Sequence, residues 1–347
     1  MYLKSIFCWI IVICCINIYI ISRYSFVQQQ NNECIIDRLN ATEIWTSQFL
    51  ENSIHLVIVT ANNEFNDMAL NLIKSILFHR RKSYNLTFHI FTDCQGRITL
   101  SNYFKYLNND CTEFRLYPLE NLIKSSQSFL DRHHITNTHY SGLYAFSKIF
   151  IHEYLPSDIS HIILLDADII VLDDIYSIWQ QFLLFTSNTT VLGLVPWYPS
   201  LPIDYKYNGL LPDPYITGVV LYDIKICRSI NFTKLLSDAT NNAFNQFQLK
   251  SFITADQTIL NLFAMYYPKY IVALPCYING HTYHYLIDGP TWKSACKNQY
   301  PRTTHVVPSK RLKDPLDYFG HLYIFYKKMP IEWLSYCGST RFKLLIK

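Results

Sequence analysis

A chain of 347 residues with 30 Lys and Arg against 26 Asp and Glu carries a formal net charge of only +4. That is too mild for a protein held to nucleic acid by phosphate contacts. Half of the residues are hydrophobic and 16% are aromatic, so a large core is available and disorder is excluded.

The N-terminus reads as a membrane anchor rather than as part of a fold. Residues 6–21 are apolar except Asn17, with Lys4 before them and Arg23 after. A soluble core helix would show a polar face, and this segment has none. It is short for a span but workable with snorkelling flanks. The following Ser22-Arg23-Tyr24-Ser25-Phe26 is too bulky for a cleavage site, which favours an uncleaved signal anchor over a removed signal peptide. The expected order is a cytoplasmic tail (1–5), an anchor helix (6–22), a stem (23–52) and one catalytic domain (53–347). Four N-glycosylation acceptor patterns begin at Asn40, Asn85, Asn188 and Asn231. They point to the Golgi or endoplasmic reticulum membrane, single-pass type II, with the catalytic domain lumenal.

Strand and helix patterns then alternate. Residues 54–60 predict a strand, followed by a helix with Met68, Leu72, Ile73, Ile76 and Leu77 on one face. Strands follow at 86–92 and 114–117, with helices at 100–107 and from 119. A longer helix is expected over 140–154, then the central strand ending at Asp166, and a strand at 190–195. Strand 215–221, helix 255–266 and strand 271–274 make the second half more mixed. Such alternation implies right-handed crossovers and a largely parallel sheet. Of ten cysteines, three lie in the anchor and the remaining seven cannot all pair. Their spacing fits no zinc site, and Cys276–Cys296 is the expected disulfide.

The stretch with the most chemistry is His161-Ile-Ile-Leu-Leu-Asp-Ala-Asp168. Four apolar residues run into two acids one residue apart, which reads as a buried strand ending in carboxylates. The carboxyl end of such a strand is where open α/β sheets place ligands. Two oxygen donors there suit a hard divalent cation that keeps positions open for phosphates. Taken alone, such pairs are more often solvated turn residues or helix-start acids. Asp173 and Asp174 read as N-capping acids for a helix through Ile175, Ile178 and Trp179. No glycine-rich phosphate loop, H-E-x-x-H or G-x-S-x-G occurs, which argues against dinucleotide dehydrogenases, kinases, zincins and common serine hydrolases.

At this point a family comes into view. The chain resembles glycosyltransferase family 8, and within it the xylosyltransferase domain of the LARGE-type, matriglycan-synthesising enzymes. The matching stretches, in order, are Lys74-Ser-Ile-Leu-Phe-His-Arg-Arg81, His139-Tyr-Ser-Gly-Leu-Tyr144, Leu164-Leu-Asp-Ala-Asp-Ile169, Val191-Leu-Gly-Leu-Val195, Leu274-Pro-Cys276 and His305-Val-Val-Pro-Ser-Lys310. The resemblance implies a GT-A type, Rossmann-like nucleotide-diphospho-sugar transferase fold. It implies a retaining, Mn²⁺-dependent enzyme that uses a UDP-sugar donor and a glycan or glycoprotein acceptor.

By the resemblance, Asp166 and Asp168 form the D-x-D pair that binds Mn²⁺, and His305 is the third metal ligand. Lys310 and Lys148 are donor-side lysines, and Thr60, Ala61 and Asn62 line the uridine pocket, with Asp93 beside them. Thr217 and Gly218 belong to the donor site. Asp256 and Gln257 match an Asp-Gln pair near the anomeric carbon; without the family, Asp256 would be a helix-start acid. Two departures stand out. Ile216 replaces the family's usual Asn, and Val306, Val307 and Pro308 replace a loop that normally holds Gly and Trp.

The function expected is xylosyl transfer in the secretory pathway. The alternatives are another family 8 hexosyltransferase, a glucoside or xyloside xylosyltransferase, or a UDP- or glycan-binding pseudoenzyme. LARGE-type enzymes carry a second, glucuronate-adding domain, so an alternating polymer would need a second glycosyltransferase as partner.

Overall fold

The computed structural model describes residues 53–334, apart from 82–83, 106, 108–110, 140, 197–214, 248–250, 253, 281–295, 297–298 and 307–317. The expected anchor and stem, the Asn40 acceptor pattern and Lys310 lie outside the described residues. Among the described residues no helix is long and apolar enough to cross a membrane.

Five strands and the helices between them build the first half. In order they are β1 (Ser53–Val59), α1 (Asn62–His79), β2 (Asn85–Thr92), α2 (Cys94–Phe104), β3 (Thr112–Pro118), α3 (Glu120–His133) and the short β4 (Thr136–Asn137). The expected single helix over 140–154 is instead broken into α4 (Leu143–Ser147), a 3₁₀ turn (Lys148–Phe150) and α5 (Ile151–Tyr154), before β5 (His161–Leu165). The break falls at Lys148, whose ammonium is drawn to two carboxylates. Tighter 3₁₀ turns are common where local geometry is pulled away from the α-helix.

The second half comprises β6 (Ile169–Val171), α6 (Tyr176–Trp179), β7 (Leu192–Pro196), β8 (Tyr215–Asp223), α7 (Ile224–Ser229), α8 (Phe232–Phe247), β9 (Ser251–Phe252), α9 (Asp256–Tyr266), β10 (Ile271–Ala273), β11 (Thr303–His305) and α10 (Tyr318–Lys328). The main sheet has seven strands in the order β10-β7-β8-β5-β1-β2-β3. All run the same way except β8, which is antiparallel to both β5 and β7. This is the mostly parallel α/β sheet expected from the strand–helix alternation.

Why these segments become central strands follows from their burial. In β1, Val57 and Val59 join the core under α3, α8 and α9, whereas Leu56 and Ile58 alternate to the opposite face and are equally buried. Continuous apolar runs are what a strand covered on both faces requires. Phe129, Phe146, Phe150, Phe232 and Phe263 fill the space between helices and sheet.

Strand order places the site. The chain moves outward from β1 to β2 and β3, then returns to lay β5 on the other side of β1. The order reverses between β1 and β5, and a crevice opens at their carboxyl ends at such a switch point. Thr60 follows β1 there, and Asp166 follows β5.

Beyond β5 the chain leaves the main sheet. β6 pairs antiparallel with β11 as a two-stranded ribbon, matching Ile169 with His305, Ile170 with Thr304 and Val171 with Thr303. Cys276 and Cys296 form the expected disulfide. Cys94 and Cys227 are free thiols, and Cys111 is disulfide-bonded.

The capping role expected of Asp173 and Asp174 is corrected in part. Asp174 Oδ1 accepts from the Tyr176 backbone N–H at 3.0 Å, as an acid entering a helix should. Asp173 has long-range partners as well. It is buried and paired with the guanidinium groups of both Arg81 and Arg302. Sequence spacing could not reveal a partner 129 residues away.

Candidate active site

The three residues predicted to bind metal come together. One donor atom each from Asp166, Asp168 and His305 lies within 4.8 Å of the others, close enough for one ion to touch all three. This is the sole such cluster of three or more acid, His or Cys side chains among the described residues. Asp166 and Asp168 sit in the turn between β5 and β6, and His305 ends β11. Backbone bonds fix the turn: Asp166 N–H donates to Gly218 O at 2.9 Å, and Val306 N–H donates to Asp168 O at 2.8 Å.

Gly218 has a steric role at this site. A Cβ at that position would lie 1.9 Å from His305 Nε2, far inside any van der Waals contact. The imidazole therefore rests on the bare Cα of Gly218, and only glycine leaves room for it.

Two further charges complete the cluster. Lys148 is buried, with Nζ 2.5 Å from Asp166 Oδ1 and 2.9 Å from Asp256 Oδ2. Asp256 opens α9, as a helix-start acid does, but it is almost fully buried. Its delivery uses Ala255, which holds φ at +48°. A non-glycine residue in the left-handed region is strained, and such strain concentrates at functional sites.

Electrostatics separate the three acids. Burial pushes Asp166 up, but the Lys148 ammonium and the His305 imidazole outweigh it and hold Asp166 well below the usual carboxylate range. Burial raises Asp168, with the neighbouring Asp166 charge adding to it. Burial likewise raises Asp256 to about 6, against the pull of Lys148. His305 would be lowered by burial; the hydrogen bond to Asp166 and the charges of both aspartates raise it instead. An imidazole pulled toward its cationic form between two carboxylates marks a spot of negative potential that suits a cation. Two carboxylates plus one imidazole form a donor set that fits Mn²⁺ better than Ca²⁺.

At the end of β1, Thr60 and Ala61 are buried and Asn62 starts α1 with φ +59°. The Asn62 side chain accepts from the backbone N–H groups of Glu64 and Phe65, closing the first turn of α1. Asp93 Oδ2 accepts from Asn62 N–H at 2.8 Å, while its Oδ1 caps α2 through Gly96 N–H at 2.7 Å. Asp93 thus joins the mouths of β1 and β2. Thr217 hydrogen-bonds Asp256, and Ile216 beside it is buried. Gln257 starts α9 next to Asp256, its backbone carbonyl accepting from Asn261 Nδ2.

Three residues of the site's framework went unnoticed in the sequence. Asn66 Oδ1 accepts from both Thr60 and Thr92, tying the ends of β1 and β2 together. Asn261 makes a two-point contact with the Tyr215 backbone, where β8 begins. Ser75 Oγ accepts from Val171 N–H in the ribbon at 3.0 Å. Each is a small polar residue on an otherwise apolar helix face, a signal visible in the sequence but shared by many ordinary core positions.

Comparison with known proteins places the chain among glycosyltransferases. The zebrafish (Danio rerio) xylosyl- and glucuronyltransferase LARGE2s is 32% identical over 250 residues, covering 70% of this chain and 32% of that protein. The chain spans about a third of the length of the curated relatives it matches. Among solved structures, apo mouse xyloside xylosyltransferase 1 superposes with a TM-score of 0.59 at 16% identity, covering 74% of this chain and 98% of that one. The galactosyltransferase LgtC, solved with donor and acceptor sugar analogues, gives 0.56 at 14% identity, covering 81% and 99%. These structures share the glycosyltransferase fold with the chain. The family model for glycosyl transferase family 8 matches residues 56–307, so the chain belongs to that family and is a glycosyltransferase.

Proposed function

We propose that this glycosyltransferase moves xylose from UDP-xylose to a glycan hydroxyl on a glycoprotein in the secretory pathway, with retention at the anomeric carbon and dependence on Mn²⁺. The observation that carries the reading is the convergence of Asp166, Asp168 and His305 at the sheet's switch point, with Lys148 and Asp256 directly behind them. The xylosyltransferase named among its relatives supports the sugar.

Each residue of the chain then has a task. Asp166, Asp168 and His305 would hold the Mn²⁺ ion, which supplies Lewis-acid stabilisation of the leaving diphosphate. Thr60, Ala61 and Asn62 seat the uridine at the mouth of β1, with Asp93 fixing their backbone. Lys310 assists the diphosphate through its charge. Lys148 keeps Asp166 ionised and holds Asp256 in place. Asp256, with Gln257 beside it, serves the sugar: it stabilises a cationic anomeric centre or attacks it as a transient nucleophile. Thr217, bonded to Asp256, and Gly218, against His305, complete the donor site. The anchor at 6–22 would place this domain in the Golgi or endoplasmic reticulum lumen, where a second glycosyltransferase would supply any alternating sugar.

Donor hydrolysis tests the proposal. A panel of UDP-sugars is incubated with the full chain, with and without Mn²⁺. Hydrolysis of UDP-xylose that chelator abolishes, and that Asp168→Ala and His305→Ala both lose, is the expected result. Unchanged turnover in both variants would sink the metal assignment, and preference for another sugar would overturn the xylose assignment alone.

A second reading has its own observation. Ile216 puts a buried apolar side chain where a polar contact to the transferred sugar is expected. That favours a protein that binds UDP or glycan without turnover. Mn²⁺-dependent UDP binding with no hydrolysis of any donor, reversed by Ile216→Asn, would establish it.

A further inference from the structure

We infer that Asp173, acting through Arg302, is a positioning residue that sets the strand carrying His305 and thereby the affinity of the metal centre. The inference rests on the metal-binding reading above and adds a part of the molecule to it.

The starting point is how His305 is held. Its strand, β11, has three residues and pairs with β6, itself three residues long. On its other side it meets Gly280, with Gly280 N–H donating to Thr303 O at 2.9 Å and His305 N–H donating to Gly280 O at 3.3 Å. A two-stranded ribbon of that size is not stable alone. Yet it brings together Asp168, just before β6, and His305, at the end of β11. A slip of one residue would send His305 to the opposite face of the ribbon. Something must fix the register.

The two ends of the ribbon answer that need differently. At the metal end, Val306 N–H donates to Asp168 O at 2.8 Å. At the far end, Leu172 N–H donates to Arg302 O at 2.8 Å, and beside that bond the Asp173 carboxylate grips the Arg302 guanidinium. The other Asp173 oxygen takes Arg81, at the C-terminal end of α1. Asp174, next in the chain, accepts from Arg81 backbone N–H at 3.0 Å and from the Tyr84 hydroxyl. Ser75, on the same helix, accepts from Val171 N–H. The ribbon is thus bolted at its far end to α1, and α1 begins at Asn62 in the proposed uridine pocket.

Arg302 is well suited to its part. It contacts Asp173 on one side, its guanidinium lies 5.7 Å from the centre of the Tyr277 ring, and its backbone N–H donates to Tyr277 O at 2.6 Å. A planar guanidinium gripped by a carboxylate and laid near an aromatic face has little freedom. Two residues separate it from His305, at the head of one short extended strand. Fixing Arg302 therefore fixes where the imidazole arrives against Gly218.

Burial makes the arrangement sensitive. Asp173 and Asp174 are both under 9% exposed. The two arginines around Asp173 are lowered from their usual range, chiefly by burial. Neutralising Asp173 leaves two desolvated cations without their shared carboxylate and loosens the side-chain grip on the far end of the strand, beside the backbone bonds that remain there.

The experiment measures divalent-cation binding by the full chain, using Mn²⁺ alone and isothermal titration, beside the kinetics of donor hydrolysis. The variants are Asp173→Asn, Arg302→Met and Arg302→Lys, with His305→Ala as the control for the metal site. The expected result is that Asp173→Asn and Arg302→Met weaken Mn²⁺ binding about tenfold, the lower end of what outer-shell changes do to metal sites. The KM for Mn²⁺ should rise in step, with kcat at saturating Mn²⁺ within about twofold of wild type. Arg302→Lys keeps the charge and should restore most of the affinity. A purely structural ion pair would instead lower the melting temperature and leave Mn²⁺ affinity where it was, which overturns the inference while His305→Ala still abolishes binding. If the wild-type chain binds no Mn²⁺, the metal reading fails and this one falls with it.

Discussion

At the scale of single residues, the site is governed by close approach and by charge. Gly218 is the clearest case, because His305 occupies the space where any other side chain would begin. Replacement by alanine leaves the strand with an ordinary β residue and displaces the imidazole, since the neighbour is a ring held by the Asp166 carboxylate. Gly218→Ala should therefore weaken Mn²⁺ binding by at least about tenfold. The far-UV circular dichroism spectrum should stay that of the wild type. Calorimetric titration with Mn²⁺ decides it; unaltered affinity would mean that His305 is not a ligand or that it moves at no cost. Lys148 works through charge instead. It stands between Asp166 and Asp256, and without it two buried carboxylates would face each other. That accounts for a lysine beside a proposed cation site: it offsets the charge of Asp256, which lies outside the three-residue cluster, as well as part of that of Asp166.

At the scale of elements, what was legible in the sequence follows from which forces are local. The parallel core strands were readable because continuous apolar runs have one physical explanation, and β1, β2 and β5 lie within a residue or two of their expected bounds. The two acids after such a run drew attention to the D-x-D turn, but it took the resemblance to family 8 to read them as metal ligands rather than solvated turn residues. The resemblance to family 8 added His305, which no local pattern singles out. The β6–β11 ribbon could not be read, since its strands are three residues each and separated by 131 positions. The helix break at Lys148 and the pairing of Asp173 were equally hidden, because both answer to charges far along the chain. The ribbon's support can be tested at Ser75, which is fully buried and whose Oγ donates to Leu72 O while accepting from Val171 N–H. Ser75→Ala leaves that N–H without an acceptor, which costs about 1–3 kcal/mol when the group is buried. Urea denaturation should show a loss of that size, and a loss below about 0.5 kcal/mol would mean that the ribbon finds another acceptor.

At the scale of the whole molecule, the buried histidines set how the fold answers to acid. His89 sits in the middle of β2, fully buried, between His55 at 3.1 Å and the Tyr117 hydroxyl at 2.9 Å. Burial, with the charges of His55 and Arg115, lowers it to about 3. His152, packed under α8, is lowered to about 4, again chiefly by burial. Both are neutral in the folded state and ordinary in the unfolded one, so between roughly pH 6.5 and the folded values the unfolded chain binds more protons. Stability is then fully present above pH 6.5 and declines as pH falls toward 4 and 3. Each such histidine contributes a slope of up to about 1.4 kcal/mol per pH unit within that window. His305 acts with the opposite sign, because its raised pKa favours the folded state as protons are added. Burial also lowers His133 and His139, so among the described residues four histidines are lowered against one raised, and their net response is acid lability. Urea denaturation at pH 7, 6, 5 and 4 should show the loss, and His89→Asn, which cannot titrate, should flatten the slope by about one proton's worth. An unchanged slope in that variant would place the acid sensitivity elsewhere. A steeper fall in the presence of Mn²⁺ than in its absence would locate part of it at the metal centre, because protons and the ion compete for the same three side chains.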